Sequence, residues 1–188
     1  MIQAVGIVEI RSSRGGVSKS GVAWARAQAV YQGGFAEIVA FGALAGAVAE
    51  GRKLFLSGTP REETYEGEGV QTKVTIQADS LEVLEEKAEL TPLSMVGAGI
   101  LASEPRPTSK GNYLSRVGFR NYRGGRREDI FLSVVTAQPA GNKGEGIVIL
   151  RGRLTGSIVV AGEIIKTQRE STATRTSELE EFELELSF

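Results

Sequence analysis

The chain contains neither cysteine nor histidine. Disulfides, thiol nucleophiles, imidazole bases and the usual zinc ligand sets are excluded together, and with them the groups that most enzymes rely on. Carboxylates, lysine, hydroxyls and phenols remain, but acids such as Asp79, Glu128 and Asp129 have no metal-ligand spacing. No catalytic residue, metal or cofactor is therefore assigned, and a carboxylate enzyme is the weakest of the readings considered. No apolar run approaches the roughly 20 residues that span a bilayer. Neither end carries a basic segment followed by an apolar one, the pattern of a leader. A soluble, cytoplasmic protein with no membrane partner is the expectation. Aromatic residues make up only 6% of the chain, with a single Trp, so each aromatic position carries information.

What is present is alternation. The 188 residues carry a formal charge of −1, which argues neither for nor against a polyanionic partner. Apolar and polar residues alternate over short runs punctuated by turn residues, the pattern of small β barrels and sandwiches. Ile2 to Ile10 reads as a strand, "RSSRGGVSKSG" as a loop, and Val22 to Tyr31 and Phe35 to Phe41 as two further strands. "GALAGAVAE" places Ala and Leu at helical spacing before Gly51, a favoured stop. Lys53 to Ser57 and Val70 to Leu84 resume strand on either side of the polar hairpin "REETYEGEGV".

Three strands, a short helix and two strands in this order are the order of an OB-fold, a five-stranded Greek-key barrel. The second half repeats the succession through "LSMVGAGILAS", "NYLSRVGFRNY", "EDIFLSVVTA", "GIVILRGRL", Ile158 to Ile165 and Leu179 to Leu186. "QPAGNKGEG" is too short and too rich in Gly to fill the helix slot. The fold class expected is all-β: two tandem OB-fold barrels, at 1–88 and 93–188, the first with a short helix between strands three and four and the second without it. "GAGILA", Gly97 to Ala102, fits a dinucleotide pattern formally, but Pro105 and Pro107 follow where a helix must start.

The first half resembles the bacterial single-stranded DNA-binding protein (SSB) family. The matching segments are "VAFGALAG" after the third strand, "KLFLSGTPREETYEGEG" as a strand and hairpin, and "VTIQADSLEVL" as the closing strand. In the second half the resemblance rests on "VGAGILASEP" and "IVILRGRL". It implies sequence-independent binding of single-stranded DNA, in replication, repair or recombination. Bases would stack on Phe35, Phe41 and Tyr65 while cations follow the phosphates. It also implies a homodimer with four OB-folds, and replication or repair proteins as further partners. Salt is expected to weaken binding strongly.

The residues themselves leave choices open. Phe35 and Phe41 share one strand face by parity, but strand aromatics are more often core. Trp24 alternates with Val22 and Arg26, a face suited to solvent, to ligand or to a subunit contact. The second half holds the strongest signal: "NYLSRVGFRNYRGGRR" interleaves aromatics with Arg116, Arg120, Arg123, Arg126 and Arg127 and contains no acid. Parity puts Arg116, Arg120 and Tyr122 on one face and Tyr113, Val117 and Phe119 on the other, as core. Such a hairpin can also be merely solvated. Glu62 and Glu63, beside Tyr65, are expected to repel phosphates. The C-terminal "FELELSF" alternates as a half-buried strand and is also acidic enough for a partner-docking tail. The rival function is an OB-fold assembly or replication-complex adaptor protein with little nucleic-acid affinity, with RNA as a closer variant.

Overall fold

The structure, a computed structural model, describes residues 1–67, 69–156 and 158–167; within these, the side chains at 64–67, 69–71, 161–163 and 166–167 are not described. Five strands come first: β1 (Ile2–Val17), β2 (Ala23–Tyr31), β3 (Gly34–Phe41), β4 (Lys53–Gly67) and β5 (Gly69–Val83). β1 pairs with β2, β2 with β3, β3 in parallel with β5, β5 with β4, and β4 back with β1. The pairings close into a ring. β6 (Ser94–Leu101), β8 (Tyr113–Arg123), β9 (Arg126–Thr136), β10 (Ile147–Thr155) and β11 (Ile158–Thr167) repeat it in the same order, with the parallel pair now between β9 and β11. A two-residue strand, β7 (Arg106–Pro107), adds to the edge of β8.

One antiparallel ladder, Ile2 to Val5 of β1 against Ser94 to Gly97 of β6, joins the rings into a single eleven-stranded sheet. Alternation explains the interior. Ile2, Ala4, Val8 and Ile10 of β1, Ile38 of β3, and Leu54 and Leu56 of β4 are buried in the first ring. Val117, Phe119, Leu132, Val134, Val148 and Leu150 are buried in the second. Burying such a side chain contributes about 1.5–3 kcal/mol, so the period of two decides which face turns inward.

Polar side chains tie the rings together. Asn121, buried on β8, accepts from the Ile2 N–H (2.9 Å) and donates to the Ile2 carbonyl (3.2 Å), extending the ladder with an amide in place of backbone. The buried Tyr31 hydroxyl donates to the Leu154 carbonyl of β10 (3.3 Å), and burial raises the Tyr31 pKa. The connecting stretch is tied to both rings: Thr91 Oγ1 accepts from the Ile7 N–H (2.8 Å), and the Leu93 carbonyl accepts from the Leu154 N–H (2.9 Å).

Three local expectations are corrected. Residues 11–17 are not a loop but the second half of β1, paired with β2 from Ser12 to Val17 beyond an irregularity at Ile10. A partner strand overrides their Gly and Ser content, because strand preference depends on context more than on composition. The Ala/Gly segment is a 3-10 turn at Gly42–Ala47, shorter than the nine residues of helical spacing. Leu44 and Ala45 pack partly buried against the core, and the Arg52 guanidinium donates to the carbonyls of Gly46 and Ala47 at its end. The polar hairpin is there, but paired strand runs through it: β4 and β5 pair from Leu54–Val83 to Gly67–Gly69, with one irregularity between Ser57 and Gly58. The expected strand at Leu179 to Leu186 lies outside the described residues.

Candidate nucleic-acid interface

On the first ring the outward residues of β2 and β3 stand in register: Trp24 opposite Phe41, Arg26 opposite Val39, Gln28 opposite Glu37 and Val30 opposite Phe35. The outer half of β1 continues this face, with Gly16 opposite Trp24 and Arg14 opposite Arg26. Phe35 is 61% exposed and Phe41 47% exposed, so the structure takes both out of the core. Trp24 is half-buried, its indole lying over Gly16. A cleft of about 600 Å³ opens here, lined by Arg14, Arg26, Gln28, Phe35, Glu37 and Lys73 among others. Tyr65 falls in β4, but its side chain lies outside the described residues.

The second ring presents the equivalent face through β8 and β9. Arg116, Arg120 and Tyr122 point outward while Val117 and Phe119 are buried and Tyr113 is half-buried, as parity predicts. The register sets Arg116 opposite Ser133, Gly118 opposite Phe131, Arg120 opposite Asp129 and Tyr122 opposite Arg127. Gly124 and Gly125, both with positive φ, make the two-residue turn between the strands, the conformation that favours glycine in tight hairpins. Arg126 flanks that turn, exposed.

Phe131 is the residue that the sequence reading misses. It is 45% exposed, and its ring lies over Gly118, where a Cβ would sit 2.9 Å from Phe131 Cε1. Its place is fixed by topology. In each parallel ladder one inward pair is buried, Ile38 with Ile76 and Val134 with Val159. Superposing these pairs puts Phe131 on Phe35, each three residues before its buried partner. The signal was in the alternation: Ile130, Leu132 and Val134 share one parity, whereas Phe131 keeps company with Asp129 and Ser133.

Carboxylates hold most of the candidate cations. Arg26 pairs with Glu37, and with Glu63 at 3.3 Å; Lys73 meets Glu37 at 3.0 Å and Glu63 at 3.6 Å. Arg123 reaches across to the first ring, bonding Asp79 and the Thr59 hydroxyl (3.3 Å), and Arg61 reaches back to Glu128. Glu62, expected to repel phosphate, is a fastener. Its side chain is 4% exposed, Oε2 accepts from the Ser133 N–H of β9 (2.7 Å), and Oε1 lies 3.5 Å from Arg116. Asp129 binds Arg127 through both oxygens (3.0 and 2.6 Å) and Arg120 at 3.5 Å. Its pKa is lowered chiefly by the Arg127 hydrogen bond, which raises that of Arg127 in turn. Among the described residues no group of acids is placed to hold a metal ion.

Among solved structures, the chain is similar to the wild-type single-stranded DNA binding protein from Thermus aquaticus, with a TM-score of 0.65 and 17% identity, covering 90% of this chain and 94% of that one. It is also similar to a deletion mutant of that protein, with a TM-score of 0.68 and 17% identity, covering 90% and 96%. No family model matches the chain, and no curated protein does. At this identity the likeness is one of fold: the chain has an all-β, SSB-like OB fold.

Proposed function

We propose that the chain binds single-stranded DNA, largely without regard to sequence and without catalysis, by stacking bases on the outward aromatics of both rings. The observation that carries this reading is the pair of topologically equivalent, exposed phenylalanines, Phe35 and Phe131, each on a sheet face that also carries arginine. Base stacking contributes about 1–3 kcal/mol per base and tolerates any sequence, because every base has a π-face. Trp24, Phe41, Tyr65 and Tyr122 are read as further stacking residues. Arg26, Arg116, Arg120, Arg123, Arg126 and Arg127 are read as the cations beside the phosphates. The fold likeness to a protein titled as single-stranded DNA binding supports the assignment.

Each ring is read as an OB-fold barrel, at 1–88 and 93–188, with the 3-10 turn between the third and fourth strands of the first. A homodimer is read onto the outer face of the sheet that runs continuously through β4, β1, β6, β10 and β11. There Phe55, Val96 and Ile165 are exposed and Val5, Ile7 and Ile149 half-buried, an apolar strip that a second copy can cover. Among the described residues no helix is long and apolar enough to cross a membrane, and a cytoplasmic role in replication or repair fits the reading.

Anisotropy of a labelled dT oligonucleotide, against a duplex of equal length at low and moderate salt, tests the assignment. Single-strand-selective binding supports it, and no binding at low salt overturns it. Sedimentation as a clean monomer removes the dimer alone. The carboxylate pairing of Arg26, Arg116, Arg120, Arg123 and Arg127 favours one second reading, an assembly or adaptor protein in which these arginines serve only the frame, Arg116 and Arg123 between the rings and the others within one. That reading expects no oligonucleotide binding at any salt.

A further inference from the structure

Glycine weakens a strand, and inside one it marks a place where another group comes close. Gly15, Gly16, Gly99 and Gly118 lie in strands that build the two faces, and they divide into two kinds. A Cβ on Gly15 would sit 2.6 Å from the Trp24 carbonyl oxygen, and one on Gly99 would sit 2.5 Å from that of Gly118, so neighbouring backbone requires both glycines. Gly16 and Gly118 meet no backbone so near. Neither takes a positive φ, and what lies over each is the aromatic ring directly opposite on the next strand.

Three atoms of the Trp24 indole would lie 3.5 to 3.6 Å from a Cβ on Gly16, so the indole is laid on the strand where a side chain would stand. On the second ring, Phe131 Cε1 and Cδ1 would lie 2.9 and 3.3 Å from a Cβ on Gly118. Both are inside the roughly 3.5 Å at which carbons pack, so Phe131 leans across room that only glycine leaves. Its equivalent on the first ring is the control. Phe35 stands opposite Val30, not glycine, and is 61% exposed against 45% for Phe131. A ring held against the sheet has lost rotamer freedom before a base arrives, whereas a standing ring must be ordered at the cost of affinity.

We propose that Gly16 and Gly118 are positioning residues for base stacking: each lets the aromatic opposite, Trp24 or Phe131, rest on the sheet as an ordered platform, which Phe35 is not. The proposal rests on the single-stranded DNA reading and adds to it two residues that act through a ring rather than on DNA. It differs from a merely structural role, in which an aromatic covers a glycine to shield a weak strand. That role moves stability and leaves stacking as it was.

Gly118→Val installs the residue found at the equivalent place on the first ring and pushes the Phe131 ring off the sheet. Anisotropy of labelled dT oligonucleotides should show binding about 2- to 10-fold weaker, the cost of ordering one side chain. In a Phe131→Ala background the same change should leave affinity unaltered, because no ring remains to be placed. Gly118→Ala asks less of the ring, keeps the test usable where valine does not fold, and should weaken binding in the same direction. On the first ring the chain's single Trp is its own reporter. Addition of dT should quench Trp24 fluorescence, and Gly16→Val should move that titration to higher dT concentration by a similar factor. Unchanged affinity in either folded valine variant overturns the role of its glycine and leaves single-strand binding intact. An equal loss with and without the Phe131 ring also overturns it, since Gly118 would then act other than through that ring. Failure of the unmodified chain to bind any dT oligonucleotide removes both this inference and the reading beneath it.

Discussion

Replacing Phe35 and Phe131 by alanine, singly and together, tests the equivalence of the two faces. Both rings are about half exposed or more, so each has a face available to a base, and truncation removes little that the fold depends on. Stacking contributes about 1–3 kcal/mol per base, and each 1.4 kcal/mol is about tenfold in affinity, so each single change should weaken dT binding about 5- to 150-fold. The two positions lie on different rings and share no partner among the described contacts, so their effects should add on a logarithmic scale. An oligonucleotide too short to reach both rings should respond to one change or the other, never to the sum. The assay is titration of labelled dT oligonucleotides of increasing length at fixed low salt, with thermal unfolding as the control for folding. Unchanged affinity in the double variant, with unfolding unchanged, would refute stacking on these faces. A full loss from one single change and none from the other would refute the equivalence drawn from strand register.

Three further outcomes follow from the inter-ring contacts. Asn121→Ala leaves the N–H and carbonyl of Ile2 without the partners they have in the fold. At about 1–3 kcal/mol for each of the two orphaned groups, urea unfolding should show a loss of about 2–6 kcal/mol, and a loss under 0.5 kcal/mol would mean that the amide is dispensable. Glu62→Ala strands the Ser133 N–H and frees Arg116, so it should cost about 1–3 kcal/mol in the same assay. Glu62→Lys should be worse, because it sets a cation beside Arg116; charge reversal at this position therefore reports on stability before it reports on binding. Burial raises the Tyr31 pKa above its ordinary value of 10.0. The folded state holds this proton more tightly than the unfolded one, so the contribution is present below pH 10 and lost as pH rises through the folded value. Comparing thermal unfolding of the parent and Tyr31→Phe from neutral to alkaline pH should show a difference that shrinks above pH 10, and a constant difference would contradict it.

Where a residue's fate depends on its own strand, the sequence made it legible. Phe35 and Phe41 share a face, Val117 and Phe119 turn inward, and Arg116, Arg120 and Tyr122 turn outward, all by a period of two. What depends on a distant partner was not legible. The stretch "RSSRGGV" is strand only because β2 lies beside it from Ala23 to Gln28. Glu62 looked like a free acid because its partner, Ser133, is 71 residues away, and the acid that binds Arg123 is 44 residues away. Phe131 was hidden for another reason. Between Ile130 and Leu132 it reads as one more apolar residue until parity is taken separately for each side of the strand.

The pairing of charges also changes what salt should do. A run of arginines in sequence suggests many phosphate contacts and a steep salt response. For single strands the slope of log affinity against log salt is about −0.7 per phosphate neutralised. An arginine already held by a carboxylate adds to that count only if phosphate displaces the carboxylate, one anion exchanged for another. Of the interface cations, Arg26, Lys73, Arg116, Arg120, Arg123 and Arg127 are so held, whereas Arg14 and Arg126 pair with no carboxylate among the described residues. If two cations count, the slope should be about −1.4, far shallower than the sequence alone suggests, and most of the affinity must come from the aromatic faces. A slope steeper than about −4, the value for some six phosphates, would show that bound DNA strips the carboxylates from their arginines. The ion pairs would then be a latch that binding opens rather than part of the resting frame.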